Sequence, residues 1–462
     1  MGTIDRRQFV IMNTPYVKED FINLKLSNGM ILSYQKELKI TVCDDNVLLG
    51  HAFSTEPEAI NLKGDMLPEM AKWSGRWVLL TKDKLYLDAC GTLGCYYGED
   101  SNGFVISSSL RIISEALNKT WTADYKVKHG DGNGIVDYYP IPYTPYDGIM
   151  KLLPSQYIEF DSKLHIKFRD NYMINRYCNW TIEDIQNAFI EKMSNVMKNI
   201  EHEFPGEVWI TLTGGVDSRT NFAIAYHSGI KFKAYTAVRN NVNKYDLKWP
   251  KIICKKMKIP YFHIDDTKGS DKALEDEFDI HCGGPVTFGT ERQQYAANSD
   301  VPSEKKAIVL WGTLWALSFE CYERYINDAL TNEEKFDELK RICGSIMEES
   351  NIHNKSFKAW LKNDEENPYK LGWRKRMYWE QRNGAWVSAA QQGIDLFDSV
   401  RISPVNSQEL FELLFSYPKQ YQRDKRKQKD IINICCPKIR RITYGEPNNI
   451  FYRIIRKLKR MI

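Results

Sequence analysis

Residues Val208-Trp209-Ile210-Thr211-Leu212 form an apolar run that breaks at Thr213-Gly214-Gly215-Val216-Asp217-Ser218-Arg219, where a helix-forming stretch begins. A strand that ends in two glycines and reopens as a helix constrains this chain more than any other feature. It brings backbone N–H groups and the positive end of a helix dipole together at the end of a buried strand. Thr213 and Ser218 add hydroxyls, and Asp217 is the only anion in the loop. Such a loop suits a nucleotide pyrophosphate with a Mg²⁺ bridging its oxygens. A Walker loop would carry Lys after its second glycine and a dinucleotide loop a third glycine; neither is present. A plain strand-to-helix turn is the alternative reading of the same residues.

A chain of 462 residues exceeds one ordinary core and implies two or three domains. The 43% hydrophobic and 27% charged content is that of a globular protein, and no apolar run is long enough for a membrane helix. The opening Met1-Gly2-Thr3-Ile4-Asp5-Arg6-Arg7 lacks the apolar stretch of an export signal. The 10 cysteines show neither C-x-x-C pairs nor zinc spacing, so they read as reduced thiols of a cytoplasmic protein. A net charge of +4 does not argue for nucleic acid.

Short alternating runs at 30–34, 39–42, 77–81, 84–87, 104–107 and 157–160, with a helix at 110–117, predict an α+β first domain over residues 1–175, mostly antiparallel. Thr181-Ile182-Glu183-Asp184 is a capping-box-like helix start, followed by Ile185, Phe189, Met193, Val196 and Ile200 at helical spacing. Strands at 208–212, 233–237 and 261–264 then alternate with helices at 218–226 and 247–257. That order predicts an α/β domain over 180–462 with a parallel sheet, a further strand at 307–311 and a helical C-terminal part.

The glycine loop resembles the S-G-G-x-D-S loop of the ATP pyrophosphatases, with Thr213 in place of the first Ser. Over nearly its whole length the chain is similar to the asparagine synthetase family. Asp246-Leu247 with Tyr261-Phe262-His263 resembles that family's D-L-x-x-A helix and the strand after it. Gly393-Ile394-Asp395, Pro404 and Phe415-Ser416-Tyr417-Pro418 resemble its later punctuation. Gly75-Arg76-Trp77, Asp88-Ala89-Cys90-Gly91, Tyr96-Tyr97, Val105-Ile106-Ser107-Ser108 and Leu153-Pro154 resemble its glutaminase-type domain. The resemblance implies an adenine-nucleotide α-hydrolase-like second domain and an ATP site built from Leu212, Thr213, Gly214, Gly215, Asp217, Ser218, Val238 and Gly312.

Three departures qualify what the resemblance implies. The family's glutaminase uses an N-terminal Cys, whereas Met1, Gly2 and Thr3 stand here, so a degenerate domain without glutaminase activity is expected, as in β-lactam synthetases and lasso-peptide cyclases. At Leu310-Trp311-Gly312-Thr313-Leu314-Trp315-Ala316 the acidic residues of the family are replaced by Thr313 and Ala316. Glu320 or Glu323 would then have to join Asp217 at Mg²⁺. The family's catalytic lysine corresponds to Lys425, with Lys427 as the alternative if the helix shifts. The expected chemistry is adenylation of a carboxylate by ATP and attack by an amine, in surface-polysaccharide or peptide natural-product biosynthesis. A non-catalytic nucleotide-binding scaffold is the competing reading. Residues 448–462, apolar on one side and basic on the other, predict a helix that docks on this protein or lies on the inner face of a membrane.

Overall fold

The computed structural model describes residues 4–64, 66–125, 139–170, 176–238, 244–265, 271–285, 290–297, 307–318, 330–343, 351–365, 371–418, 421 and 425–445. The first 12 strands are β1 (Phe9–Met12), β2 (Phe21–Lys25), β3 (Ile31–Gln35), β4 (Ile40–Cys43), β5 (Asn46–Ser54), β6 (Trp73–Leu80), β7 (Lys84–Leu87), β8 (Tyr96–Asp100), β9 (Gly103–Ser107), β10 (Met150–Lys151), β11 (Gln156–Phe160) and β12 (Leu164–Phe168). They form two six-stranded antiparallel sheets, ordered β10-β8-β9-β1-β3-β2 and β12-β11-β7-β6-β5-β4. The two-residue period of a strand decides what each face meets. Phe9, Ile11 and Leu32 of one sheet share a core with Val78, Leu80, Leu85 and Ile158 of the other. The alternate residues Trp77 and Leu79 pack outward with helix α1 (Met66–Met70), while Val10 joins helix α2 (Leu110–Ala116).

Helix α3 (Ile182–Glu203) follows the linker and starts with the expected capping box. Thr181 accepts from the Asp184 N–H, and the Asp184 carboxylate accepts from the Thr181 N–H. Ile185, Phe189, Met193, Val196 and Ile200 are fully buried along one stripe. Next come β13 (Val208–Thr211), α4 (Val216–His227), β14 (Lys233–Val238), α5 (Lys244–Met257) and β15 (Tyr261–Asp265). Helices α6 (Lys272–His281) and α7 (Thr290–Ala296) lead to β16 (Ile308–Leu310). Beyond α8 (Asn332–Cys343), α9 (Asn351–Glu365), α10 (Trp373–Arg376) and α11 (Ser388–Gly393), β17 (Val400–Ile402) completes a five-stranded parallel sheet, ordered β15-β14-β13-β16-β17. Helices α12 (Gln408–Phe415) and α13 (Arg426–Cys435) follow. From β13 the chain first builds outward through β14 and β15 and then returns to the other side at β16. The crevice between the carboxyl ends of β13 and β16 is therefore the topological switch point, where open α/β sheets bind ligands.

The antiparallel half and the parallel half share buried polar contacts. Asp395 accepts from Arg76 through both oxygens and from Gln8 Nε2 at 2.7 Å. Asp88 gathers the N–H groups of Cys90 and Thr92 and the Asn406 amide at 2.8 Å. The Trp379 indole donates to the Ala89 carbonyl at 2.7 Å. The Gly75-Arg76-Trp77 and Asp88-Ala89-Cys90-Gly91 segments thus dock the two halves together. Residues 1–3, including Thr3, lie outside the described residues. Just beyond them Asp5 is fully buried and ion-paired with Arg111 and Lys18, and Arg6 pairs with Asp398 at 2.8 Å. No helix among the described residues is long and apolar enough to cross a membrane. Cys43, Cys90, Cys95, Cys178, Cys254, Cys282, Cys435 and Cys436 are unbridged.

Candidate functional site

The glycine loop runs from the end of β13 into α4 as the sequence predicts, but its first glycine is needed for room rather than for a special backbone angle. Neither Gly214 nor Gly215 has a positive φ. A Cβ on Gly214 would lie 2.9 Å from Asp246 Oδ1 and 3.0 Å from the Tyr245 carbonyl. A Cβ on Gly312 would lie 2.9 Å from the Ser218 nitrogen. The loop is thereby sandwiched between the start of α5 and the turn after β16.

Its polar groups are already organised. The Thr213 N–H donates to Ser218 Oγ at 3.0 Å, and the Gly215 N–H to Thr213 Oγ1 at 3.1 Å. The Gly214 N–H donates to Asp246 at 2.8 Å. Gly215 caps α4 without a side-chain hydrogen bond, so the helix presents its first N–H groups uncapped. Leu212 is fully buried, and its carbonyl accepts from Thr236 Oγ1 at 2.5 Å, tying β13 to β14.

The two candidate lysines part company. Lys425 stands at the start of α13 with φ 56°, a left-handed conformation that a Cβ-bearing residue adopts at a cost of about 1–2 kcal/mol. Its ammonium donates to Asp217 Oδ2 at 2.9 Å, 208 residues away in sequence. Lys427, two residues along the helix, faces the other way. It is fully buried and donates to the Leu414 carbonyl at 2.8 Å, over the Tyr417 ring. The structure brings Lys425 to the loop and places Lys427 in the core, because Lys425 precedes the helix in its left-handed conformation whereas Lys427 falls on the buried face of α13, against Leu414 and Tyr417.

A cavity of about 420 Å³ opens beside the loop. Leu212, Thr213, Gly215, Asp217, Ser218 and Gly312 of the expected site line it. Val238 ends β14 one residue past the lining, and Tyr235, Thr236 and Ala237 of that strand face the cavity instead. The sequence reading missed Asp246, Glu291, Gln294 and Trp311 as lining residues. Asp246 carried a signal in its Asp-Leu helix start, whereas Glu291 and Gln294 arrive on α7 with no local signature. Thr313, flagged for lacking a carboxylate, also lines the cavity; its hydroxyl is buried with no hydrogen-bond partner. A buried unsatisfied hydroxyl costs about 1–3 kcal/mol, so a ligand atom bonded to it would recover that energy.

Glu320 and Glu323 lie outside the described residues, as do residues 446–462 with the basic helix expected there. Among the described residues no group of three His, Cys, Asp or Glu could hold a metal ion by itself. Mg²⁺ is commonly bound through one or two carboxylates together with substrate phosphates, and Asp217 at the loop fits that donor set.

No family profile matches the chain, and no curated protein does. Among solved structures, NMN synthetase from Francisella tularensis is similar at 14% identity, over 43% of this chain and 93% of that one, with a TM-score of 0.20.

Proposed function

We propose that this chain is an ATP-dependent, amide-forming ligase of the asparagine-synthetase type. ATP would adenylate a substrate carboxylate with release of pyrophosphate, and an amine would displace AMP. One observation carries the reading: a preorganised N–H and hydroxyl loop lies at the switch point of a parallel sheet, with a lysine from 208 residues away held on its single carboxylate. Thr213, Ser218 and the N-terminal N–H groups of α4 would hold the phosphates. Lys425 would neutralise charge developing at the α-phosphate, and Thr313 would orient the acceptor group. Mg²⁺, held by Asp217 and phosphate oxygens, would supply charge neutralisation on the departing pyrophosphate. The substrates we propose are a glycan or peptide carboxylate and an amine, in the cytoplasm or at the inner face of a membrane.

The test is product analysis. Protein, ATP and Mg²⁺ are incubated with panels of carboxylates and amines, and AMP and pyrophosphate are quantified. Stoichiometric AMP and amide support the reading; ADP as product, or nucleotide turnover indifferent to carboxylate, overturns it. A specific observation favours a second reading, a nucleotide-binding scaffold without turnover. Lys425 occupies an oxygen of the carboxylate that a metal would use, and neither Thr313 nor Ala316 supplies another carboxylate. Tight ATP binding with no AMP under any of these conditions would select it.

A further inference from the structure

The phosphate loop is gripped from a direction that its sequence motif does not indicate. Past α13 the chain turns back over α4, and residues 442–445 lie against the loop. Arg219, one residue beyond Ser218, is only 1% exposed. Its guanidinium donates to the Ile442 carbonyl at 2.9 Å and the Thr443 carbonyl at 2.7 Å, and stands 4.6 Å from the Tyr444 ring centroid. No carboxylate pairs with it among the described residues, and its Nε has no hydrogen-bond partner. The Trp249 indole of α5 donates to the Gly445 carbonyl at 2.7 Å. The Gly445 N–H in turn donates to the Gly214 carbonyl at 2.9 Å. Gly214 is thus held on both sides, its N–H by Asp246 and its carbonyl by Gly445.

We propose that the strap 442–445, fastened by Arg219 and Trp249, is the positioning device of the phosphate loop, so that docking of the strap and binding of a nucleotide phosphate are coupled. The physical reason is twofold. Gly214 cannot move without breaking the Gly445 contact, so the anion-binding shape of the loop is shared with the strap. Arg219 is a buried cation beside the loop that the strap carbonyls solvate and on which Asp246 acts, so releasing the strap would strip this cation of its hydrogen-bond acceptors and disturb the start of α4. Linkage makes the coupling reciprocal: phosphate binding must tighten the strap by the factor by which the strap tightens phosphate binding. Arg219 and Trp249 are positioning residues, since neither lines the cavity. The coupling to ATP rests on the ligase reading, whereas the mechanical coupling does not.

The experiment is hydrogen exchange on the full-length wild type and on Trp249→Phe, without nucleotide and with ATP·Mg²⁺, alongside calorimetric affinity. Trp249→Phe removes the indole N–H and its bond to Gly445 while leaving a six-membered aromatic ring beside Tyr245, and thermal unfolding of the variant checks that the fold is kept. Amides of 442–445 and of 213–215 are expected to exchange faster together, by about three- to tenfold, with a matching loss of ATP affinity. ATP·Mg²⁺ is expected to protect 442–445 in the wild type. Arg219→Lys, which keeps the charge but not the paired donors, is expected to reproduce these losses rather than rescue them. Faster strap exchange with unchanged loop exchange overturns the proposal, as does full ATP affinity in both variants. A wild type that binds no ATP refutes the ligase reading instead, and the paired exchange measured without nucleotide still decides the clamp.

Discussion

Replacing Lys425 by Met separates catalysis from structure. The Lys425 and Asp217 side chains are 40% and 25% exposed, so water and salt screen their 2.9 Å contact. Partly exposed pairs contribute about 0–1 kcal/mol, and a loss of that size shifts the melting temperature of a chain this long by no more than about 2–4 °C. A preorganised cation acting on transition-state charge is worth about 100–1000-fold in rate, or roughly 2.7–4 kcal/mol. Lys425→Met is therefore expected to fold as the wild type does and to retain ATP binding within a few-fold. Its AMP formation is expected to fall by about 100–1000-fold. Lys427→Met is the contrasting control. It removes a buried ammonium bonded to the Leu414 carbonyl, so stability is expected to fall by about 1–3 kcal/mol while turnover per folded molecule is kept. The assay is pyrophosphate release under saturating ATP, paired with thermal unfolding of the same samples. Turnover within twofold of wild type in Lys425→Met would refute the assignment, because no other described lysine contacts the loop carboxylate.

Three further outcomes are expected. Asp217→Asn should abolish the Mg²⁺ dependence of ATP binding in calorimetry while leaving the melting temperature nearly unchanged; an unaltered Mg²⁺ response would remove Asp217 from the metal. Burial first, then the neighbouring Glu409, pushes the Glu412 carboxyl from 4.5 up to about 7, against Gln408 and Arg176, which lower it. The folded state then holds a proton that the unfolded state has released, so this contribution to stability is full below pH 4.5 and declines by about 3 kcal/mol as pH rises to about 7. Denaturant titrations from pH 4.5 to 7.5 should show that slope in the wild type and lose it in Glu412→Gln. Glutamine hydrolysis should stay at background, since Met1, Gly2 and Thr3 offer no thiol where the asparagine synthetases use a nucleophilic Cys; release of ammonia that disappears in Thr3→Ala would overturn this.

What the sequence determined by itself is what local pattern can encode. The apolar run ending in Gly214-Gly215 set β13, the loop and α4, and the spacing from Ile185 to Ile200 with Thr181 and Asp184 set α3 and its start. The alternation after it set a parallel sheet, because backbone angles and the burial of one face are written every two or every three to four residues. β17 was not legible: three residues, Val400–Ile402, show no period, and they become a strand only because β16 offers a free edge. Glu291 and Gln294 reach the cavity because α7 packs beside the sheet, which neither residue announces. The sequence left Lys425 and Lys427 as alternatives, since a charge run does not say which of its side chains is buried; the packing of α13 on α4 puts Lys425 beside Asp217 and Lys427 in the core. The strap on Gly214 and the Arg76–Asp395 pair between the halves join residues more than 200 apart. Such contacts depend on where whole elements come to rest, and that position is a sum over the entire core that no local stretch contains.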